Sequence, residues 1–116
     1  MIKVVALLVR RQEISREEFD QHWIEVHAPL VNALPGVRRY VQSHIIAEQS
    51  APNAPSTGVH LDGIAELWFD DRAAMEEAYA MPEADRLAAD GALFIGQISF
   101  FVVEEKVFIP SGGEAA

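Results

Sequence analysis

Four histidines, His22, His27, His44 and His60, are the side chains in this chain best suited to moving protons near neutral pH. His22 and His27 stand five residues apart, about 140° around a helix. They do not share a metal as an i, i+4 pair does, and no metal site is expected. His27 falls on the flank of an apolar helical stripe, so it points at a sheet or into a cavity beneath the helix. Two roles are open there: a core histidine tied to a backbone carbonyl, or a general acid/base tuned by burial. Glu66 is flanked by Ile64, Leu67 and Trp68 in an otherwise apolar strand. If it faces the helices it needs a partner, because an unpaired buried carboxylate is costly. His27 or His44 would then complete an acid/base pair. If it faces the other way it sits at a subunit seam, paired with an arginine. Tyr40 and His44 share a strand face and could supply a donor and a second imidazole, although a one-residue slip would turn both away. The candidate catalytic residues are therefore His27, Glu66 and His44. Phe19, Trp23, Tyr40, Trp68 and Phe94 are the candidates for lining a substrate cavity, with core packing as the alternative for each large aromatic. His22 is expected at the solvent-facing edge of its helix. His60 and Asp62 fall in a long loop, as part of a lid or simply solvated.

Other chemistries are disfavoured by what the chain lacks. No phosphate-cradling glycine loop occurs, the nearest approach, Gly91 to Gly96, being followed by Gln97. No nucleophile elbow or HExxH pair is present, and there is no cysteine. The expectation is a site that needs no cofactor and no metal. Lys and Arg number 9 against 18 Asp and Glu, a formal charge of −9, which disfavours nucleic acid and anionic membranes as partners. The apolar run Val4–Val9 is too short for a signal peptide core and lacks a cleavage pattern, so a cytoplasmic protein is expected.

The elements that must hold these residues are marked clearly. Residues 2–10 form a valine-rich strand. Ser15 and Glu18 make a capping box, after which Phe19, Trp23, Val26, Leu30 and Leu34 recur at helical spacing. Pro29 predicts a kink or early end near residue 28, and Pro35-Gly36 a firm stop. Strands are expected over 38–47, 64–69 and 97–108, with a long turn-rich loop over 48–63 that could cover a binding site. Helices are expected from Asp70-Asp71 to about Ala80 and from Pro82 through Ala89. The order β-α-β-β-α-β is the ferredoxin-like arrangement, an α+β fold whose four-stranded antiparallel sheet carries its helices on one face. One domain over 1–110 and a small polar, disordered tail over 111–116 are expected. Because Val4–Val9, Leu67, Phe69 and Phe100–Val103 put apolar side chains on both sheet faces, the open face should pair with that of a second copy, giving a homodimer. The alternative is a monomer covered by its own loop and tail.

The string HWIEVHAPLVNALPGVRRYV at 22–41, GIAELWFDD at 63–71 and AADGALFI at 88–95 resemble the EthD family of small dimeric α/β-barrel proteins, over roughly residues 2–109. The resemblance implies two ferredoxin-like sheets meeting in a barrel at the dimer axis, with a pocket between each sheet and its helices. It also brings in relatives of varied chemistry, among them cyclases, isomerases, monooxygenases and cofactor-free lyases. Fold alone does not select among these. The reading favoured by the residues is an acid/base enzyme needing no cofactor. It would isomerise, dehydrate or cyclise a small hydrophobic carbonyl compound of aromatic or polyketide type. His27 would move the proton and Glu66 or His44 would orient it. The competing readings are an oxidoreductase, or an accessory of an oxidative pathway, and a non-catalytic binder of a hydrophobic metabolite.

Overall fold

The computed structural model describes residues 1–111, so most of the tail expected to be disordered, 112–116, lies outside the described residues. Four strands form one sheet in the order β2-β3-β1-β4, every neighbouring pair antiparallel: β1 Ile2–Arg10, β2 Arg39–His44, β3 Gly63–Phe69 and β4 Ile95–Val103. The helices are α1 Arg16–His22, α2 Ala28–Asn32, α3 Arg72–Tyr79 and α4 Pro82–Phe94. A wide helical turn, Trp23–His27, joins α1 to α2.

Register decides which side chains meet the helices. Val4 stands opposite Leu67, Ala6 opposite Ala65 and Leu8 opposite Gly63, and every residue of this row is buried. Phe19, Trp23, Val31, Leu34, Met75, Ala78 and Phe94 close over it from the helices. Alternation sends the intervening residues, Lys3, Val5, Leu7, Ile64, Glu66 and Trp68, to the opposite face. Trp23 lies so close over β3 that a Cβ on Gly63 would stand 2.4 Å from its ring, which explains the glycine at that strand's start.

Local signals account for most boundaries. The Ser15 hydroxyl accepts from the Glu18 N–H at 3.1 Å and Glu18 accepts from the Ser15 N–H at 3.0 Å, a reciprocal cap for α1. Asp71 caps α3 through the Ala74 N–H at 2.8 Å. Three expected extents change. Strand β2 ends at His44 rather than 47, because its partner β3 begins at Gly63, opposite His44, and offers no strand residue beyond it. Helix α4 continues past Ala89 to Phe94, because Leu87, Asp90, Gly91 and Phe94 keep the helical spacing of an inward face. Strand β4 ends at Val103 rather than 108, since its partner β1 begins at Ile2 and offers nothing to pair beyond Lys3.

The long connection between β2 and β3 is clamped at its base. Arg16 of α1 donates to the carbonyl of Ile45, where the connection leaves β2, and at 3.1 Å to that of Asp62, where it returns. The Ile45 N–H also donates to the Asp62 carbonyl at 3.3 Å. Between these points residues 46–60 are exposed.

Candidate active site

The disturbance that Pro29 predicted near residue 28 is present as a change of winding, and the first helix does not end there. It widens. The Ala28 N–H donates to the carbonyl of Trp23, five residues back, and the chain then continues as α2. Pro29 has no N–H to give, and its ring would press on the Glu25 carbonyl in a regular helix. A turn holding one extra residue removes both conflicts. It also turns everything after it by roughly 100° relative to an uninterrupted helix. Hence Val26, expected on the buried stripe, is 46% exposed, while Val31 is buried at 3%. His27 swings with Val31 toward the sheet.

There His27 meets a carboxylate. Its Nδ1 lies 2.8 Å from Oδ2 of Asp90, and Nε2 of His22 lies 2.9 Å from Oδ1 of the same side chain. Asp90, on the inner face of α4, is 8% exposed. A carboxylate only accepts hydrogen bonds, so both imidazoles donate to it. That assignment leaves Nε2 of His27 with a lone pair. The ring of Phe94 packs 4.7 Å from His22 and 5.1 Å from His27, holding the pair in place. Burial lowers the pKa of His27 below its ordinary 6.5, and the Asp90 bond offsets this only in part. At neutral pH the imidazole is therefore uncharged and able to accept a proton.

His27 lines a cavity of about 440 Å³ between the sheet and α4. Most of its wall is apolar; Trp23, Tyr40, Tyr79 and Gln97 contribute the other polar groups. Burial raises the pKa of both phenols, so each is a protonated hydroxyl at neutral pH. Tyr40 is further fixed by Gln42, whose Nε2 donates to its hydroxyl at 2.7 Å. Among the described residues no group of three or more His, Asp or Glu could hold a metal ion, and no helix is long and apolar enough to cross a membrane.

The structure brings together only part of the candidate set. His27, Trp23 and Tyr40 share the cavity. Phe19 and Phe94 belong to the core beside it, their rings 5.3 Å apart. Glu66 and Trp68 do not join them: strand alternation puts both on the opposite sheet face. There Glu66 pairs with Lys3 at 2.6 Å rather than with an imidazole or an arginine, and Trp68 donates to Glu105 at 2.5 Å. His44 does face the helices, but beyond Trp23, whose ring it packs on at 4.4 Å. Both its nitrogens are engaged, Nδ1 with Asp20 and Nε2 with Gln42, each at 2.9 Å. His22, expected in solvent, is instead bound to Asp90. His60 is exposed and paired with Glu48. Asp90 is the functional candidate that the reading of the residues passed over. Its signal was an acid on the apolar helical face Leu87–Gly91–Phe94, a position where a solvated role is excluded.

Comparison with known proteins places this architecture. The chain matches the EthD domain model over residues 11–98. It is 33% identical over 112 residues to a protein of Pseudomonas reinekei named 4-carboxymethyl-4-methylbutenolide mutase, covering 92% of this chain and 100% of that one. An EthD family protein from Bacillus halodurans superposes with a TM-score of 0.72 at 26% identity, covering 91% of this chain and 99% of the other. A dimeric ferredoxin-like protein of Thermobifida fusca shares the fold at a TM-score of 0.66 and 14% identity, with 88% of each chain covered. Chain-wide similarity of sequence and of structure thus agree, and this protein belongs to the EthD domain family.

Proposed function

We propose that this protein is an isomerase-type enzyme that needs no cofactor and works by general acid/base catalysis on a small hydrophobic carbonyl compound. The observation that carries the proposal is an imidazole, His27, lining an apolar cavity with its Nδ1 2.8 Å from the buried carboxylate of Asp90, which leaves Nε2 as the nitrogen able to accept a proton. In this reading Nε2 removes a proton from carbon next to a carbonyl, and the electron pair moves onto the carbonyl oxygen as an enolate. The imidazolium so formed is stabilised by Asp90. The same Nε2–H then returns the proton at a second carbon, which balances the isomerisation. The Tyr40 and Tyr79 hydroxyls are the groups available to steady the enolate oxygen. The relative named as a butenolide mutase supports the class of reaction, since its name describes rearrangement of a lactone. Closure of the open sheet face by a second copy belongs to the same proposal, and the dimeric Thermobifida fusca neighbour supports it.

The test is proton NMR in D2O with a panel of β,γ-unsaturated butenolides and ketones. The wild type is expected to isomerise at least one of them with deuterium uptake. His27→Gln and Asp90→Asn are expected to lower that rate on the order of 10²-fold or more while the protein stays folded. A His27→Gln variant as fast as the wild type would overturn the reading.

A further inference from the structure

We propose that His44, which stands outside the cavity, is a positioning residue for the Tyr40 hydroxyl: acting through Gln42, it fixes that hydroxyl as a hydrogen-bond donor to a carbonyl oxygen held in the cavity. This rests on the reading of the cavity as the substrate site, and it selects one of the two phenols that could steady an enolate. Tyr40, Gln42 and His44 stand opposite Leu67, Ala65 and Gly63 of β3, the row that meets the helices, so their side chains share that side of the sheet. A second copy closing the opposite face leaves this group intact.

The direction of each bond follows from the atoms that can only accept. The Trp23 carbonyl lies 2.9 Å from Nε2 of Gln42 and has no hydrogen to give, so the amide nitrogen, not the amide oxygen, faces it. The same nitrogen donates its second hydrogen to the Tyr40 oxygen at 2.7 Å. Oε1 of Gln42 is thereby turned to Nε2 of His44, 2.9 Å away, and that nitrogen must donate. On the other side of the ring, Nδ1 lies 2.9 Å from Oδ1 of Asp20, again an acceptor, while the second Asp20 oxygen lies 3.6 Å from Nε of Arg16. With an acceptor against each nitrogen, the His44 ring carries both hydrogens. The chain of bonds therefore runs one way, from an imidazolium seated on a carboxylate, through an amide, to a phenol.

Tyr40 is left with its oxygen occupied and its hydrogen unspent. Burial keeps the phenol protonated, and the hydrogen bonds from Gln42 and the Trp23 indole, which favour phenolate, offset this only in part. Both bonds end on the oxygen, and among the described residues no acceptor takes the hydrogen. Tyr40 lines the cavity, so that hydrogen is available to a ligand carbonyl. Tyr79 lines it too, but burial alone shapes its phenol, and no partner among the described residues sets the direction of its hydroxyl. As negative charge gathers on a carbonyl oxygen beside Tyr40, each bond of the chain strengthens the next, and the charge at the far end has the opposite sign.

The ligand-free protein gives the first test. By NMR of nitrogen-15-labelled wild type at pH 7.5, both ring nitrogens of His44 are expected to show an attached hydrogen. The Gln42 amide hydrogens are expected to give nuclear Overhauser contacts to the Tyr40 ring. A His44 ring with one bare nitrogen, or Gln42 amide hydrogens lying against His44 instead, would overturn the inference. The second test uses 2-acetylnaphthalene as the probe and reads its carbonyl stretch by infrared difference spectroscopy. The wild type is expected to lower that frequency relative to Tyr40→Phe. His44→Phe, whose ring can keep the packing on Trp23, and Gln42→Leu are each expected to lose most of the lowering. Equal frequencies in the wild type and Tyr40→Phe, or the full lowering retained by either of the other variants, would overturn the inference as well. The ligand-free test decides even where a variant does not fold. No step of either test involves turnover, so a His27→Gln protein as fast as the wild type would sink the acid/base reading and leave this inference standing.

Discussion

Asp90 takes one N–H from each of two imidazoles, and the two bonds do different work. The bond from His22 fixes the plane of the carboxylate from the outer edge of the helix pair. The bond from His27 fixes the tautomer, which decides whether the cavity is offered a lone pair or a proton. Stability should record this arrangement. The pKa of His27 is lowered on folding, chiefly by burial, so below about 6.5 the unfolded chain binds more protons at this site than the folded one. Its contribution is complete above that value and declines as pH falls toward the folded pKa. Melting curves between pH 7.5 and 5.5 should show the wild type losing more stability on acidification than His27→Gln, and parallel losses would refute the assignment. His27, Trp23 and Tyr40 were legible in the sequence because type and spacing put them on inward faces. Asp90 was harder, since one acid among 18 looks solvated until α4 is seen to continue past it. Glu66 misled because alternation divides a strand into two faces without saying which one the helices cover.

Among the elements, the wide turn at Trp23–His27 has the most to say about function. Helix spacing taken from Phe19 gave a stripe that included Val26 and Leu30, and proline chemistry located the disturbance within a residue or two. Neither could show that the helix would absorb an extra residue and carry on. The wide turn costs the helix its regular hydrogen bonding and, in return, sets His27 and Val31 on the inner face together. Ile24 is 54% exposed within that turn, so its removal should leave an uninterrupted helix whose later residues keep their present directions, because the wide turn already absorbs one residue. A protein lacking Ile24 is expected to keep its helical circular dichroism and to stay within about tenfold of wild-type turnover. Amide and imidazole NMR would show the His27 to Asp90 bond retained. Loss of that bond would mean that the turn does more than take up one extra residue.

For the molecule as a whole, the covered face was readable and the open face only half so. Apolar residues on both sides of β1 pointed to a second covering layer, and the structure leaves Phe101 50% exposed on the face away from the helices. Sedimentation of the wild type at low micromolar concentration is expected to give twice the chain mass of 12.8 kDa. Phe101→Glu, which puts a charge in that layer, should shift the protein toward single chains. A wild type that sediments as single chains would dispose of the homodimer. The Arg16 clamp bears on a different property of the same molecule. Because one side chain of α1 grips the connection where it departs and where it comes back, the strands on either side feel the two grips and not the span between them. That stretch can therefore lengthen, shorten or take up foreign sequence near Asn53 without sliding β2 against β3, which makes it the natural place for evolution or an engineer to add a new surface to an unchanged chamber.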